Sequence, residues 1–132
     1  MKLVKLIKFD VKGDGRGCLV SVEGNKNIPF DIKRMYYIFN TQPGVERGFH
    51  AHHNLKQVVL CLSGECTFVL DNGKVKEEVV LSSKTEALYI EGFIWREMKN
   101  FSKDAVLVVL ASEYYDEADY IRNYEDFKRL AK

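Results

Sequence analysis

Two histidines near the middle of the chain are the residues whose type and spacing most directly suggest chemistry. His50 and His52 are separated by one residue, and with His53 they are all the histidines of the protein. Residues two apart on a β-strand point to the same face, so both imidazoles would be aimed at one spot. Such a pair either contributes to a metal site or carries out acid–base chemistry without a metal.

The residues around this pair match the first sequence motif of the cupin superfamily, which has the form PG-x5-HxH-x4-E-x6-G. In this chain the matching residues, at the same spacings, are Pro43-Gly44, His50-Ala51-His52, Gln57 and Gly64. The likeness implies a β-barrel. One position departs from the motif, because Gln57 stands where metal-binding cupins carry a glutamate ligand.

A second departure also argues against a metal. In the second cupin motif, P-x-G-x2-H-x3-N, the alignment that ends on Asn100 places Arg96 where the ligand histidine stands. A guanidinium stays protonated and repels a cation, and two histidines alone rarely hold a transition metal. We therefore predict no metal and no cofactor. Neutral imidazoles would instead act as bases on a carbon acid next to a carbonyl group.

The pattern of the whole chain predicts an all-β fold that would position these residues. Short apolar or alternating segments recur at intervals of about ten residues, with turn signals between them, which is typical of an antiparallel sandwich or barrel. Only the tail, from Asp116 to Leu130, has apolar residues at helical spacing. We predict one cupin or jelly-roll β-barrel domain over residues 1–132, with a short C-terminal helix.

Composition excludes several classes of function. The net charge of +1 gives no field that would gather nucleic acid or bind a membrane surface, and no apolar run reaches membrane-spanning length. The three cysteines, an odd number without metal-type spacing, predict free thiols in a reducing compartment. No signal-peptide pattern opens the chain. We expect a cytoplasmic protein without nucleic-acid or membrane partners.

A tyrosine and several cations could complete the site. Tyr36 and Tyr37 lie on a neighbouring predicted strand and face opposite ways, so at most one points into the barrel, and we predict Tyr37. Trp95 is either a core ring or a platform for stacking a base. The cations that could bind a diphosphate are Arg16, Lys33, Arg34, Arg47 and Arg96.

Five further segments extend a closer resemblance over nearly the whole chain. They are residues 28–38, 47–52, 88–90, 95–98 and 109–122. They closely resemble the dTDP-4-keto-6-deoxyglucose 3,4-ketoisomerases, which are small dimeric cupins of bacterial sugar-nucleotide pathways. The resemblance implies a homodimer, a dTDP-linked 4-keto-6-deoxyhexose as substrate, and a tautomerisation without a metal.

The resemblance also implies roles for particular residues. A base removes the proton at C3, next to the C4 ketone, an enediol forms, and a proton delivered to C4 leaves the ketone at C3. His52 would be the main base, with His50 close by and Tyr37 assisting. Arg47 would hold the diphosphate. The full set of expected substrate-binding residues is Arg16, Lys33, Arg47, Gln57, Trp95, Arg96, Glu97 and Arg122.

Product stereochemistry and the competing functions are less constrained. Galacto-forming members tend to have Arg in the early RG pair and His in the WxEM element, whereas gluco-forming members tend to have Tyr and Arg. This chain has Arg16 and Arg96, one from each pattern. Because residues 16–20 and 25–30 look more like the galacto group, we predict the 3-keto-6-deoxygalactose product.

The alternatives to a ketoisomerase are a dTDP-sugar 3,5-epimerase, a metal-dependent cupin and a non-catalytic cupin that binds sugar nucleotides.

Overall fold

The computed structural model describes residues 3–131, which form twelve β-strands, one short 3₁₀ turn and one α-helix. The prediction of an all-β chain with a short C-terminal helix is confirmed. In chain order the elements are β1 (Lys5–Lys8), β2 (Lys12–Asp14), β3 (Gly17–Leu19), β4 (Arg34–Ile38), β5 (Arg47–His52), β6 (Gln57–Ser63), β7 (Cys66–Asp71), β8 (Lys76–Leu81), β9 (Glu86–Ile90), β10 (Trp95–Lys99), β11 (Val106–Ala111), the 3₁₀ turn (Glu117–Asp119), β12 (Tyr120–Ile121) and α1 (Tyr124–Leu130).

Two five-stranded antiparallel sheets make up the body of the protein. The first has the order β1-β9-β6-β11-β4 and the second has the order β12-β5-β10-β7-β8. Their apolar faces meet in one core, to which the first sheet contributes Val59 and Leu107 and the second contributes Phe68 and Leu70. Every second residue of these strands is directed into the core because side chains alternate across a strand. The histidine strand, β5, lies near one edge of the second sheet.

Helix α1 covers the outer face of the second sheet, directly behind the histidine strand. Its side chain Phe127 is fully buried and packs with Phe93, Trp95 and the Ala51 side chain of β5 in a separate cluster. The helix begins after Asn123, whose side-chain oxygen accepts a hydrogen bond from the backbone N–H of Asp126.

The tail is helical over a shorter stretch than its apolar spacing predicted. The predicted helix covered 116–130, but α1 begins at Tyr124 and the preceding residues form the 3₁₀ turn and β12. Tyr120 and Ile121 pair with His52 and Ala51 of β5 instead. Hydrogen bonds to a neighbouring strand have therefore replaced the local helical bonds here, as tertiary context often does for short segments.

A hairpin arm, made of β2 and β3, stands apart from both sheets. These two strands pair only with each other in the described structure, and residues 10–19 are all exposed. Within residues 3–131, no helix has the length and apolar character needed to cross a membrane.

Candidate active site

The two histidines lie side by side on the inner face of β5. Their ring centroids are 4.8 Å apart and the rings are nearly perpendicular, at 83°. Ala51, between them, points the other way and is fully buried beneath α1. The sequence prediction that both imidazoles share one face of a strand is therefore confirmed.

A bulge in the pairing of β5 with β10 sets the position of these histidines. His50 pairs with Arg96, whereas the next residue of β10, Glu97, pairs with Gly48, so the register shifts by one residue. Gly48 has a φ of 90° and Phe49 has a φ of 58°, both in the left-handed region. A Cβ atom at Gly48 would lie 2.9 Å from the Arg96 carbonyl oxygen, so only glycine fits there.

His52 is held from behind by a carboxylate. Its Nδ1 lies 3.2 Å from Oδ2 of Asp119, and the other carboxylate oxygen accepts hydrogen bonds from the backbone N–H groups of His53 and Asn54, each at 3.1 Å. Because a carboxylate only accepts, Nδ1 carries the proton and Nε2 carries the lone pair. The His52 side chain is only 1% exposed.

His50 is half-buried and opens onto a cavity of about 440 Å³, named here the His50 cavity. Three other polar residues that line it are Tyr36, Arg47 and Arg122. A second cavity of about 400 Å³, the His52 cavity, is lined by His52 and by the tyrosines 114, 115 and 120. Arg34 and Tyr120 line both cavities, so the two spaces adjoin across these side chains.

A buried hydrogen-bonded chain of three residues reaches the His50 cavity. Nη1 of Arg96 donates to Oε1 of Gln57 at 2.6 Å, and Nε2 of Gln57 donates to the Tyr36 hydroxyl at 3.1 Å. Arg96 is 2% exposed and Gln57 is 4% exposed, so solvent reaches neither. Of these three hydrogen-bonded residues, only Tyr36 lines the cavity.

Burial and the charge of Arg96 keep both histidines neutral at pH 7. Burial, followed by the Arg96 charge, lowers the pKa of His50 to about 4. The same two causes, with His50 as the third, lower the pKa of His52 to about 2. Burial also lowers the pKa of Arg96, to about 10, which leaves the guanidinium protonated. The site thus combines two neutral imidazoles with one fixed positive charge.

The structure replaces Tyr37 by Tyr36 as the tyrosine of the site. Tyr37 is 59% exposed and packs against Phe39 on the outer side of β4, whereas Tyr36 points inward. The prediction that Tyr37 points into the barrel is therefore wrong. A strand places alternate residues on opposite faces, and both sets along β4 contain apolar and aromatic residues, so composition alone did not select the inner face.

Three other predicted cations lie at or beside the two cavities. Arg47 and Arg122 line the His50 cavity, and Arg122 also pairs with Glu117 at 2.8 Å and stacks over the Tyr120 ring at 4.2 Å. Lys33 lies 3.6 Å from Glu113, at the rim of the His52 cavity.

Five other predicted substrate-binding residues line neither cavity. Arg16 is at the end of the hairpin arm, paired with Asp14 at 2.7 Å and 91% exposed. Gln57 and Arg96 lie behind Tyr36. Trp95 is a core ring under α1, and its Nε1 donates to Glu97 at 2.9 Å on that same outer face, so Glu97 is also away from the cavities. The stacking role for Trp95 and the substrate contact for Glu97 are therefore wrong, because residues 95 and 97 alternate with the inward Arg96.

Sequence reasoning missed Asp119 and Tyr120. Both fall in the segment from Asp116 to Leu130, which the apolar spacing predicts as helix. Their contribution depends on the pairing of β12 with β5, and no local pattern signals that pairing.

The donor set does not suit a metal ion. Within residues 3–131, no three His, Cys, Asp or Glu side chains come together as a ligand group. The oxygen of Gln57, which replaces the cupin glutamate, is already bonded to Arg96. A cation between the two histidines would also face the buried charge of Arg96.

The chain is similar in sequence and fold to known proteins. The family model described as "FdtA: WxcM-like, C-terminal" matches residues 2–132. Among curated proteins, the chain is 53% identical over 125 residues to a TDP-4-oxo-6-deoxy-alpha-D-glucose-3,4-oxoisomerase of Aneurinibacillus thermoaerophilus, over 95% of this chain and 90% of that protein.

Solved structures give the same result. The chain is 50% identical to the WlaRB TDP-quinovose 3,4-ketoisomerase of Campylobacter jejuni, with a TM-score of 0.93, over 98% of this chain and 99% of that one. It is 44% identical to a histidine-to-asparagine variant of the 3,4-ketoisomerase QdtA of Thermoanaerobacterium thermosaccharolyticum in complex with TDP-4-keto-6-deoxyglucose. That match has a TM-score of 0.95 and covers 99% of this chain and 95% of the other.

Proposed function

This chain belongs to the FdtA family and is a TDP-sugar 3,4-ketoisomerase, and we propose that it moves the ketone of dTDP-4-keto-6-deoxyglucose from C4 to C3 by acid–base chemistry alone. The observation that carries this proposal is the His50 cavity, which brings a neutral imidazole, two tyrosines and three arginines to one space. These are the groups needed to take a proton, to give one, and to bind a diphosphate.

The proposed reaction begins when the neutral His50 imidazole takes the proton from C3. The electron pair of the broken C–H bond forms a C3–C4 double bond, and the C4 oxygen becomes negative. The Tyr36 hydroxyl hydrogen-bonds this oxygen, and Arg96 supplies a fixed positive charge behind it. The C4 oxygen takes up the proton lost by the C3 hydroxyl, and the C4 carbon receives a proton from the His50 imidazolium, directly or by way of solvent. The sugar then has a hydroxyl at C4 and the ketone at C3, and His50 is neutral again.

The family resemblance suggested His52 as the base, but His50 is the better candidate. His50 shares its cavity with Tyr36, whereas His52 is almost fully buried and bonded to Asp119. The pKa of His50 is also lowered less, to about 4 against about 2, so His50 is the stronger base of the two. We assign His52 the role of a positioning residue whose ring packs edge-on against His50.

Arg47 and Arg122 are the proposed diphosphate ligands. Both line the His50 cavity and both are exposed. Arg47 is able to turn towards a bound anion, and Arg122 would exchange its ion pair with Glu117 for a phosphate oxygen. A guanidinium forms paired hydrogen bonds with phosphate oxygens, which fixes the ligand's orientation as well as its affinity.

Deuterium exchange tests the proposed reaction and its independence from metal. Chelator-treated protein is incubated with dTDP-4-keto-6-deoxyglucose in D₂O, and NMR spectra are recorded over time. We expect loss of the C3 proton signal and appearance of a 3-keto sugar at an undiminished rate. Exchange at C3 and C5 without ketone migration would indicate an epimerase, and tight dTDP binding without exchange would indicate a non-catalytic binder. Activity that returns only with added metal would contradict the proposal.

The product is proposed to be the 3-keto-6-deoxygalactose sugar, from the likeness of residues 16–20 and 25–30 to galacto-forming relatives. The same reaction run in H₂O reads the configuration at C4. A small coupling between the protons on C4 and C5 would indicate the galacto product. A large coupling between these protons would indicate the gluco product and overturn this assignment.

A homodimer is the proposed assembly, because the hairpin arm lacks support within its own chain. Two-stranded hairpins are only marginally stable alone, and the arm exposes Val11 and Leu19. The edge strand β4 exposes Met35 and Tyr37. Packing of the arm on a second copy would cover such surfaces, and it would move Arg16 from solvent onto that copy.

Analytical ultracentrifugation tests the assembly. We expect a mass of twice that of the chain, and we expect Leu19→Asp to shift the protein towards monomer while its circular dichroism spectrum is unchanged. The Lys74→Asp variant, altered in an exposed turn of the second sheet, is the matched control and should remain dimeric. A wild-type monomer at micromolar concentration would contradict the proposal.

We also infer that the enzyme works in the cytoplasm. Cys18, Cys61 and Cys66 are all free thiols, as expected in a reducing compartment. Fractionation of the source cells would test this, and recovery outside the cytoplasm would contradict it.

A further inference from the structure

Arg96 is a buried cation whose hydrogen bonds all go to neutral acceptors. Its Nη1 donates to the Gln57 amide oxygen at 2.6 Å, and its Nη2 donates to the Ile94 carbonyl oxygen at 3.0 Å. No carboxylate among the described residues forms an ion pair with it. A buried charge without a counter-ion is costly, so its presence here suggests a purpose beyond stability.

The charge of Arg96 determines which way the Gln57 amide points. A guanidinium has donors and no acceptor, so the atom of Gln57 that faces it must be the oxygen. The amide nitrogen is then turned towards Tyr36, whose hydroxyl oxygen lies 3.1 Å away. The orientation of an amide group is often ambiguous, but here the chemistry of its neighbour settles it.

The Tyr36 hydroxyl is consequently left as a donor. Its oxygen accepts a hydrogen bond from Gln57, and its own proton has no acceptor among the hydrogen bonds of the described residues. Tyr36 lines the His50 cavity, so this proton is available to a group bound there.

We propose that Gln57 is a positioning residue that makes Tyr36 a one-way hydrogen-bond donor to the sugar oxygen on which charge develops. The donors run in one direction, from Arg96 to Gln57, from Gln57 to Tyr36, and from Tyr36 to the substrate oxygen. This inference rests on the proposed function, and it adds a role for a residue that touches no substrate. It also gives a physical reason for glutamine at the position where metal cupins carry glutamate.

A glutamate at position 57 would reverse the hydrogen bond between residue 57 and Tyr36. The carboxylate has nearly the same size and would still accept from Arg96, so the fold and the burial of Arg96 are retained. However, a carboxylate has no proton to donate, so it would accept the Tyr36 proton and draw it away from the cavity. The variant Gln57→Glu therefore changes the direction of one hydrogen bond with little change of shape.

Steady-state kinetics with dTDP-4-keto-6-deoxyglucose test the proposal. We expect Gln57→Glu to lower kcat by about 10²-fold, as removal of a donor to a developing oxyanion does, with little change in KM. Tyr36→Phe should lower kcat to a similar extent. The double variant should be no slower than Tyr36→Phe alone, because the effect of residue 57 passes through the hydroxyl. Tyr37→Phe, the outward neighbour, is the matched control with unchanged kcat.

Several results would overturn the proposal. One is a wild-type kcat for Gln57→Glu in protein that binds dTDP normally. Another is a double variant whose defect is the product of the two single defects, which would mean that Gln57 acts independently of Tyr36. A wild-type protein that transfers no ketone would instead refute the function on which the inference rests, so the two failures are distinguishable.

Discussion

The His50→Asn variant is expected to lose ketone transfer while it still binds dTDP. Asparagine occupies a similar volume and can hydrogen-bond, but its amide cannot take a proton at neutral pH. Removal of a positioned general base lowers turnover by about 10²- to 10⁴-fold. Binding should persist, because the proposed diphosphate ligands Arg47 and Arg122 are separate side chains on the cavity wall. The measurements are kcat from the NMR assay and the Kd for dTDP by calorimetry.

Two matched histidine variants show whether this loss is specific to His50. His53→Asn alters an exposed histidine that lies outside both cavities, so its kcat should be unchanged. His52→Asn should have an intermediate effect, of about tenfold, because His52 packs against the base and takes no proton in the proposed reaction. If His52→Asn were inactive and His50→Asn retained activity, the base would be His52, as the family resemblance suggested.

The fold and the centre of the site could be predicted because they depend on local spacing. The two-residue interval between His50 and His52 determines that they share a face on any strand. The intervals from Pro43 to Gly64 match a motif whose turns need those residue types. Gly64 illustrates this, since its φ is 66° and a Cβ there would lie 2.9 Å from Cα of Ala105. Local sequence thus encodes the all-β fold and its histidines.

The choice between Tyr36 and Tyr37 could not be made from local spacing, because it depends on how β4 is aligned with β11 to within one residue. Tyr36 pairs with Val109 of β11, which points into the core, and Tyr37 pairs with Val108. A shift of one residue exchanges the two faces of a strand. Nothing in the alternating segment from Arg34 to Phe39 distinguishes the faces, since each contains a tyrosine and at least one other apolar residue.

The segment that contains Asp119 and Tyr120 shows a second limit of local patterns. Asp119 forms hydrogen bonds with three groups at the end of β5, more than sixty residues earlier in sequence. The Tyr120 ring packs at steep angles against both histidine rings. These long-range contacts replace the helical hydrogen bonds that the spacing favoured. The part of the site furthest from the histidines in sequence is therefore the part that sequence reasoning missed.

The Phe127→Ala variant is expected to lose about 3–5 kcal/mol of unfolding free energy, the usual cost of removing a large buried aromatic side chain. Phe127 is fully buried, and its ring centroid lies 4.9 Å from that of Phe93 and 5.7 Å from that of Trp95. Urea denaturation at one fixed protein concentration measures the effect, since an oligomer's apparent stability depends on concentration. We expect a lower midpoint with an unchanged slope.

Leu130, on the exposed side of α1, provides the matched control for Phe127. Leu130→Ala truncates a side chain of the same helix that is 55% exposed, so it should change the unfolding free energy by less than about 1 kcal/mol. Ala51, between the two histidines, belongs to the Phe127 cluster, so α1 supports the histidine strand from its outer side. A Phe127→Ala loss below about 1 kcal/mol would mean that α1 unfolds separately from the sheets. In that case the histidines would owe their placement to the bulge and to β12, and the helix could be removed without loss of turnover.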